Sequence, residues 1–427
     1  MSNLKKTLNL YQGIGILVST LLGSSIFIIP AVAATIAGVY SIIAWVVTIL
    51  FMIPIAFTFS NLGSFYPHAG GTAFFVKQAL GDCFENFTSW LYLAVMPIGP
   101  PVVIITGANY IGAVVQANDM EVFFICVGMV VAMFLMNLMG LKFAGSIQSI
   151  ISIIIVGILL GIIVLALGKQ SELFFDFVNF NITANVDTML NISRAITIVF
   201  WCFVGLEAIV HLSSEFKDIK KDFPKTIFIS MAIVGGLCVL ISLIVLKYKA
   251  YGTEQIDANY MVFLLKYLLG NSSVIFIGII GFFSCFTTVN LYILSFSRMI
   301  YSMGESGIIS SFFSKVTNRG IPLNALVPCY LCVLATIVLK YSVGIKLESL
   351  ILYANGIFVA LYLLASISGV FLLSGIKRFL AITSTIFCMF IYFSLGYQIL
   401  YSLVIIILAF FYDATRKKYK AVNLVDD

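Results

Sequence analysis

The chain has 427 residues, of which 61% are hydrophobic and only 10% charged, and its net charge is +6. So few charges cannot clothe a water-soluble surface, which excludes a soluble enzyme and makes the positive balance a loop bias rather than a nucleic-acid footprint. A bilayer core about 30 Å thick needs roughly 20 apolar residues per helix, and such stretches recur from end to end, so the fold class is an all-α polytopic membrane protein.

The opening "MSNLKKTLNLYQ" is basic, but the run after it is long enough to remain as a helix, and no small-residue cleavage site marks a signal peptide. Twelve spans are expected, at about 12–37, 41–65, 87–115, 121–140, 143–168, 194–214, 225–247, 272–303, 323–340, 349–373, 379–394 and 397–413. Connections of at most about 20 residues leave no room for a separate soluble domain. Most of the 24 lysines and arginines fall on the side that holds both termini, which makes that side cytoplasmic. Seven of the eight cysteines lie inside apolar runs and read as small hydrophobes, so no disulfide framework is expected. Cys329-x-x-Cys332 has no second pair to make a metal site.

Span one contains "LVSTLLGSSIFIIPAVAA", with Gly23, Ser24 and Ser25 in mid-span and Pro30 soon after. Unwinding at membrane depth frees backbone N–H and C=O groups at a cost of several kcal/mol each, so it persists only where something satisfies them. An amino acid does so: its carboxylate takes amides at the start of one half-helix, and its ammonium takes carbonyls at the end of another. The plainer alternative is that these small residues let two helices pack closely. Span six carries a matching interruption, "FWCFVGLEAIVHLSSEF", with Gly205 in mid-helix and Glu207 beside it. Breaks five spans apart are what a five-helix repeat used twice predicts.

Five segments in order now resemble the amino acid–polyamine–organocation (APC) permeases: "GSSIF" at 23–27, "PHAGGTAFF" at 67–75, "FWCFVGLEA", "SEFKDIKKDFPK" at 214–225, and "SFSRMIYSMGESG". Within that family the likeness, which includes "LILYANGIFVALYLL", is greatest to bacterial exporters of methionine and branched-chain amino acids. The resemblance implies a LeuT-type fold in a single transporter domain: inverted five-helix repeats over about 12–168 and 194–373, with peripheral helices over about 379–413. It implies an amino acid bound mid-membrane against Gly23, Ser24, Ser25, Ile26, Phe203 and Gly205. It further implies Trp201 as an aromatic gate, Tyr292 as a pocket aromatic, and span three as a pocket wall through Met96 and Ile98 of "MPIGPPV". Two departures stand out: Ser25 replaces a motif glycine, and Thr72-Ala73-Phe74 replaces the tyrosine position after Ala-Gly-Gly.

Glu207 is the one acid placed deep in a span, and an intramembrane acid points to function, here proton coupling with His211 four residues on. The competing reading is a neutral carboxyl that bonds the freed backbone, with His211 simply hydrogen-bonded. Packing competes likewise for Trp201 and Tyr292, and an interhelical contact for Asn355 and Gly356. Ser284, Thr287 and Thr288 of span eight put oxygens near the first break, so sodium is the alternative coupling ion. His68 is the only other histidine and lies on a distant loop, so no metal site is expected. No phosphate-binding or dinucleotide motif appears, and neither a cofactor nor an enzymatic activity is expected.

The expected function is secondary transport of neutral amino acids across a bacterial cytoplasmic membrane by alternating access. The resemblance points to efflux of L-methionine, leucine, isoleucine and valine, driven by protons or membrane potential. The alternatives are an importer or exchanger of the same fold, or a non-transporting amino acid sensor.

Overall fold

A computed structural model describes residues 8–68, 70–139, 144–168, 185–305, 307–317 and 321–423. Among these, twelve helical stretches are long and apolar enough to cross a membrane, and no strand forms beyond a single bridge between Leu8 and Phe216. Lys5, Lys6, Lys142, Lys169 and Arg319, which enter the charge argument for orientation, lie outside the described residues.

The first span is α1 (Leu10–Leu22) followed by α2 (Ile29–Ala37), and α3 (Ser41–Phe65) returns as the second. Asn9 starts α1 through a reciprocal cap: its Oδ1 accepts the Gln12 N–H at 2.9 Å, while Gln12 Oε1 accepts the Asn9 N–H at 3.2 Å. Next come a short α4 (Gly71–Leu80), then α5 (Asp82–Ala94) and α6 (Gly99–Val115), which together make the third span. The helix of that span begins at Asp82 rather than near 87, because Gly81 at φ +90° turns the chain out of α4 and lets α5 start at once.

Spans four and five are α7 (Asp119–Met139) and α8 (Ala144–Gly168). The sixth is α9 (Val186–Val199) and α10 (Leu206–His211), and the seventh is α11 (Ile219–Lys247). A further helix unforeseen in the sequence, α12 (Glu254–Leu269), precedes α13 (Val274–Glu305), α14 (Leu323–Val343), α15 (Leu347–Leu372), α16 (Gly375–Ser394) and α17 (Ile399–Asn423).

Packing sorts these helices into an inner set and an outer set. In their most apolar stretches spans one, three and six have 67%, 89% and 78% of their residues buried, against 17% for the last span, so the broken helices are central and α17 lies at the outside of the bundle. α1 packs on α11 and α8, α6 runs along α13, and α15 lies between α16 and the centre. α12 leans on α2, on the break that follows α1, and on α6, capping one end of the central helices.

Candidate functional site at two helix breaks

A glycine lies in each break. After Leu22 the chain leaves the α-helix at Gly23, makes a single 3-10 turn over Ser25–Phe27, and resumes with Pro30 in the first turn of α2. A β-carbon on Gly23 would lie 2.8 Å from the Thr288 side chain, so only glycine fits there. In span six a 3-10 turn over Phe200–Phe203 gives way to extended Val204 and then to Gly205 at φ +132°. That conformation favours glycine, and a β-carbon would also meet Thr20 Cγ2 at 2.9 Å.

The freed carbonyls of the first break are largely satisfied from outside the helix. Ser25 Oγ donates to the Leu21 carbonyl at 2.5 Å and lies 3.3 Å from that of Leu22. Ser284 donates to the Gly23 carbonyl at 3.1 Å, Tyr110 to that of Phe27 at 2.8 Å, and Tyr260 of α12 to that of Ile26. The amides behave differently. The N–H group of Ser24, which lies between the two helical pieces, makes no hydrogen bond among the described residues. A free donor ahead of a half-helix suits a carboxylate.

At the second break the amides are occupied. Tyr362 Oη accepts the N–H groups of Gly205 at 3.3 Å and Leu206 at 3.2 Å. Glu207 folds back so that its Oε2 accepts the Gly205 N–H at 3.0 Å and the Tyr362 hydroxyl at 2.6 Å, and Tyr292 donates to Oε1 at 3.4 Å. Glu207 is 1% exposed, and no lysine or arginine pairs with it among the described residues. The carbonyls of Thr20 on the first break and of Val204 on the second accept no hydrogen bond among the described residues. These two residues and Ser24 line one space.

That space is a cavity which, with its open mouth, encloses about 420 Å³ of empty space. Thr20, Leu21, Ser24 and Ser25 line it from span one, and Val95, Gly99, Pro100 and Val103 from span three. Trp201 and Val204 come from span six, Thr288, Val289 and Tyr292 from span eight, and Phe358 from span ten. Its polar atoms cluster at the breaks while the rest of the wall is aliphatic or aromatic, and it contains no lysine, arginine, aspartate or glutamate.

Comparison with known proteins bears on what the cavity holds. The family model described as "Amino acid permease" matches residues 8–425. The chain belongs to that family. It is 34% identical over 409 residues to the L-methionine/branched-chain amino acid exporter YjeH of Escherichia coli, covering 95% of this chain and 96% of that protein. It is 26% identical over 427 residues to the uncharacterized amino acid permease YecA of Bacillus subtilis, covering 98% of each. With the serine/threonine exchanger SteT of Bacillus subtilis it shares 22% over 326 residues, 71% of this chain and 69% of the other.

Of the permease residues singled out in the sequence, Ser24, Ser25, Trp201 and Tyr292 line the cavity. Gly23, Ile26, Phe203 and Gly205 shape the breaks from behind its wall. Met96 and Ile98 do not line it. The chain between α5 and α6 turns so that Val95, Gly99, Pro100 and Val103 face the cavity instead. Trp201 Nε1 donates to Ser24 Oγ at 3.3 Å and its ring meets Phe358 edge-on at 6.2 Å, joining the two breaks across the space. Asn355 donates to the Thr197 carbonyl at 2.6 Å, a contact between helices.

His211 lies away from the cavity. Its ring sits against Gly71, where a β-carbon would come within 2.5 Å of Cε1, and 5.6 Å from the ring of Tyr92. His68 stacks on Phe74 at 4.0 Å and accepts the Gly70 N–H at Nδ1. Burial holds the pKa of His68 below its ordinary value, so this ring is neutral at physiological pH. No group of three His, Cys, Asp or Glu residues arranged to hold a metal ion occurs among the described residues. Valines at 95, 103, 204 and 289 carry no sequence signal that separates them from the many lipid-facing valines, which is why they went unnoticed.

Proposed function

We propose that this permease exports neutral, apolar amino acids, with L-methionine, leucine, isoleucine and valine as its substrates. The observation that carries the reading is the free Ser24 amide beside a wall of valine, proline and phenylalanine. The amide fits a substrate carboxylate, the free carbonyls of Thr20 and Val204 fit its ammonium, and the wall fits a side chain without charge. The likeness to an exporter of methionine and branched-chain amino acids over nearly the whole chain supports the same substrates and the outward direction.

Glu207, and not His211, takes the coupling role in this proposal. A buried carboxyl with no cationic partner exchanges a proton when water reaches it, and its bonds to Tyr362 and the Gly205 amide tie that event to the second break. The chain then alternates between states open to either side, with the helices on 12–168 and 194–373 moving as two inverted repeats.

Reconstituted protein offered labelled methionine, leucine, lysine and glutamate tests the substrate class. The proposal expects proteoliposomes to move the first two and neither of the others. Movement of lysine or glutamate at a comparable rate would overturn it.

A further inference from the structure

Buried Thr288 shares with Thr72 and Thr226 an unpartnered hydroxyl, and of the three it alone lines the cavity. Thr20, Thr48, Thr58, Thr88, Thr106 and Thr287 each return the hydroxyl proton to a carbonyl one turn back, at 2.7 to 3.0 Å. That back-bond is the default for a threonine inside an apolar helix, because it hides the only polar atom. Thr288 makes none. The carbonyl it would use, that of Ser284, lies 3.0 Å from Thr287 Oγ1, while Ser284 itself is turned to the Gly23 carbonyl.

Thr288 is 3% exposed, its Oγ1 has no hydrogen-bond partner, and it lines the cavity. Among the described residues it is the one buried, unpartnered side-chain polar atom that belongs to a cavity-lining residue. An unsatisfied hydroxyl in an apolar wall carries a desolvation penalty that a bound group would relieve.

Position identifies that group. Thr288 Oγ1 and the free Thr20 carbonyl flank the bare face of Gly23, 2.8 and 3.3 Å from the point a β-carbon would occupy. Both lie at the carboxyl end of the half-helix α1, where the helix dipole is negative and a cation is favoured. The free Ser24 amide that suits a carboxylate lies beyond Gly23, on the approach to α2.

We infer that Thr288 Oγ1 is the side-chain acceptor for the substrate's α-ammonium, acting beside the Thr20 carbonyl, and so sets selectivity for α-amino acids over the matching acids that lack the amine. This rests on the proposed transport of neutral amino acids at this cavity. Thr288 is a positioning residue of span eight: it orients the substrate backbone and leaves side-chain choice to the valine wall.

The test compares methionine with 4-(methylthio)butyrate, its analogue without the amine, as competitors for labelled methionine on purified wild type, Thr288→Val and Thr288→Ser. Valine keeps the shape of threonine and removes the hydroxyl, and serine restores the hydroxyl. The expected result is a loss of about tenfold or more in methionine affinity for Thr288→Val, with binding of the analogue changed less than twofold and Thr288→Ser close to wild type. Equal weakening of both ligands, loss of the wild-type preference in Thr288→Ser, or an effect seen only as altered sodium dependence would overturn the inference and leave the transport reading intact. If wild type itself binds no neutral amino acid, both fall together.

Discussion

The Tyr362 hydroxyl donates to Glu207 Oε2 at 2.6 Å and accepts the N–H groups of Gly205 and Leu206 from the other side. One phenol of span ten therefore holds the acid and the broken backbone of span six together, and it also lies 3.2 Å from the Phe203 carbonyl. The ring itself is anchored between Phe59 and Phe200, at 4.8 and 5.5 Å. Deleting the hydroxyl in Tyr362→Phe leaves two buried amides with poorer partners and the carboxyl short of a donor. The expected cost is about 1–3 kcal/mol, read as a lower melting temperature of the purified protein together with slower methionine movement. An unchanged melting temperature would show that the span-six break does not depend on this hydroxyl.

Substitution of Glu207 by glutamine separates coupling from binding. The amide keeps the shape and still accepts the Gly205 N–H, but it cannot exchange a proton. Exchange of labelled for unlabelled methionine is expected to persist in Glu207→Gln, while the response to an imposed pH gradient disappears. A variant still driven by the gradient would remove Glu207 from the coupling role.

At the first break, Ser25 fills a position where the resemblance leads one to expect glycine, and its hydroxyl serves the carbonyls of Leu21 and Leu22. Ser25→Ala strands both at membrane depth and is expected to lower stability by about 1–3 kcal/mol. Ser25→Gly loses the same bond and also gains backbone freedom, so it should melt at or below the alanine variant. Thermal unfolding followed by tryptophan fluorescence ranks the three proteins.

Asp257 of α12 lies outside the twelve spans, where it accepts the Thr35 hydroxyl at 2.9 Å and the Gly252 N–H at 3.0 Å. With Tyr260 on the Ile26 carbonyl, it fastens α12 to α2 and to the first break. Burial raises the Asp257 pKa above the ordinary carboxylate value, against the opposing effect of its two hydrogen bonds. The folded chain thus holds this proton more tightly than the unfolded chain. The group's contribution to stability is full below the unfolded pKa and declines from about pH 4 upward as pH rises through the folded value. Asp257→Asn is expected to flatten that part of the melting-temperature curve, and a curve parallel to wild type would exclude Asp257 as its source.

The sequence made the spans and the breaks legible for different physical reasons. Span two was expected at 41–65 and α3 runs Ser41–Phe65, because Gly38 and Pro67 flank a largely apolar run that continues through Pro54. Gly23 and Gly205 stood out because each lies in mid-span beside serines or an acid and the two interruptions are five spans apart. The side of span three that faces the cavity was not legible. Met96, Ile98, Val95 and Val103 are all apolar, and the turn between α5 and α6 sets the rotation that decides among them. The bond between Glu207 and Tyr362 joins residues 155 positions apart, and nothing in one sequence singles out this tyrosine from the 20 present. The helix α12 escaped notice because its apolar run is short and carries Glu254, Asp257 and Lys266, so it reads as a loop between spans.

The most direct test of a neutral amino acid held between the two breaks is counterflow in proteoliposomes. Vesicles loaded with unlabelled methionine are diluted into labelled methionine, and wild type is compared with Gly205→Val. The account predicts a transient accumulation of label in wild type and none in Gly205→Val, with both proteins eluting as single species by size exclusion. The variant's β-carbon and extra methyl groups would close onto Thr20 in a backbone conformation only glycine adopts with ease. Wild-type counterflow that survives in Gly205→Val, or no counterflow with any neutral amino acid, would contradict it.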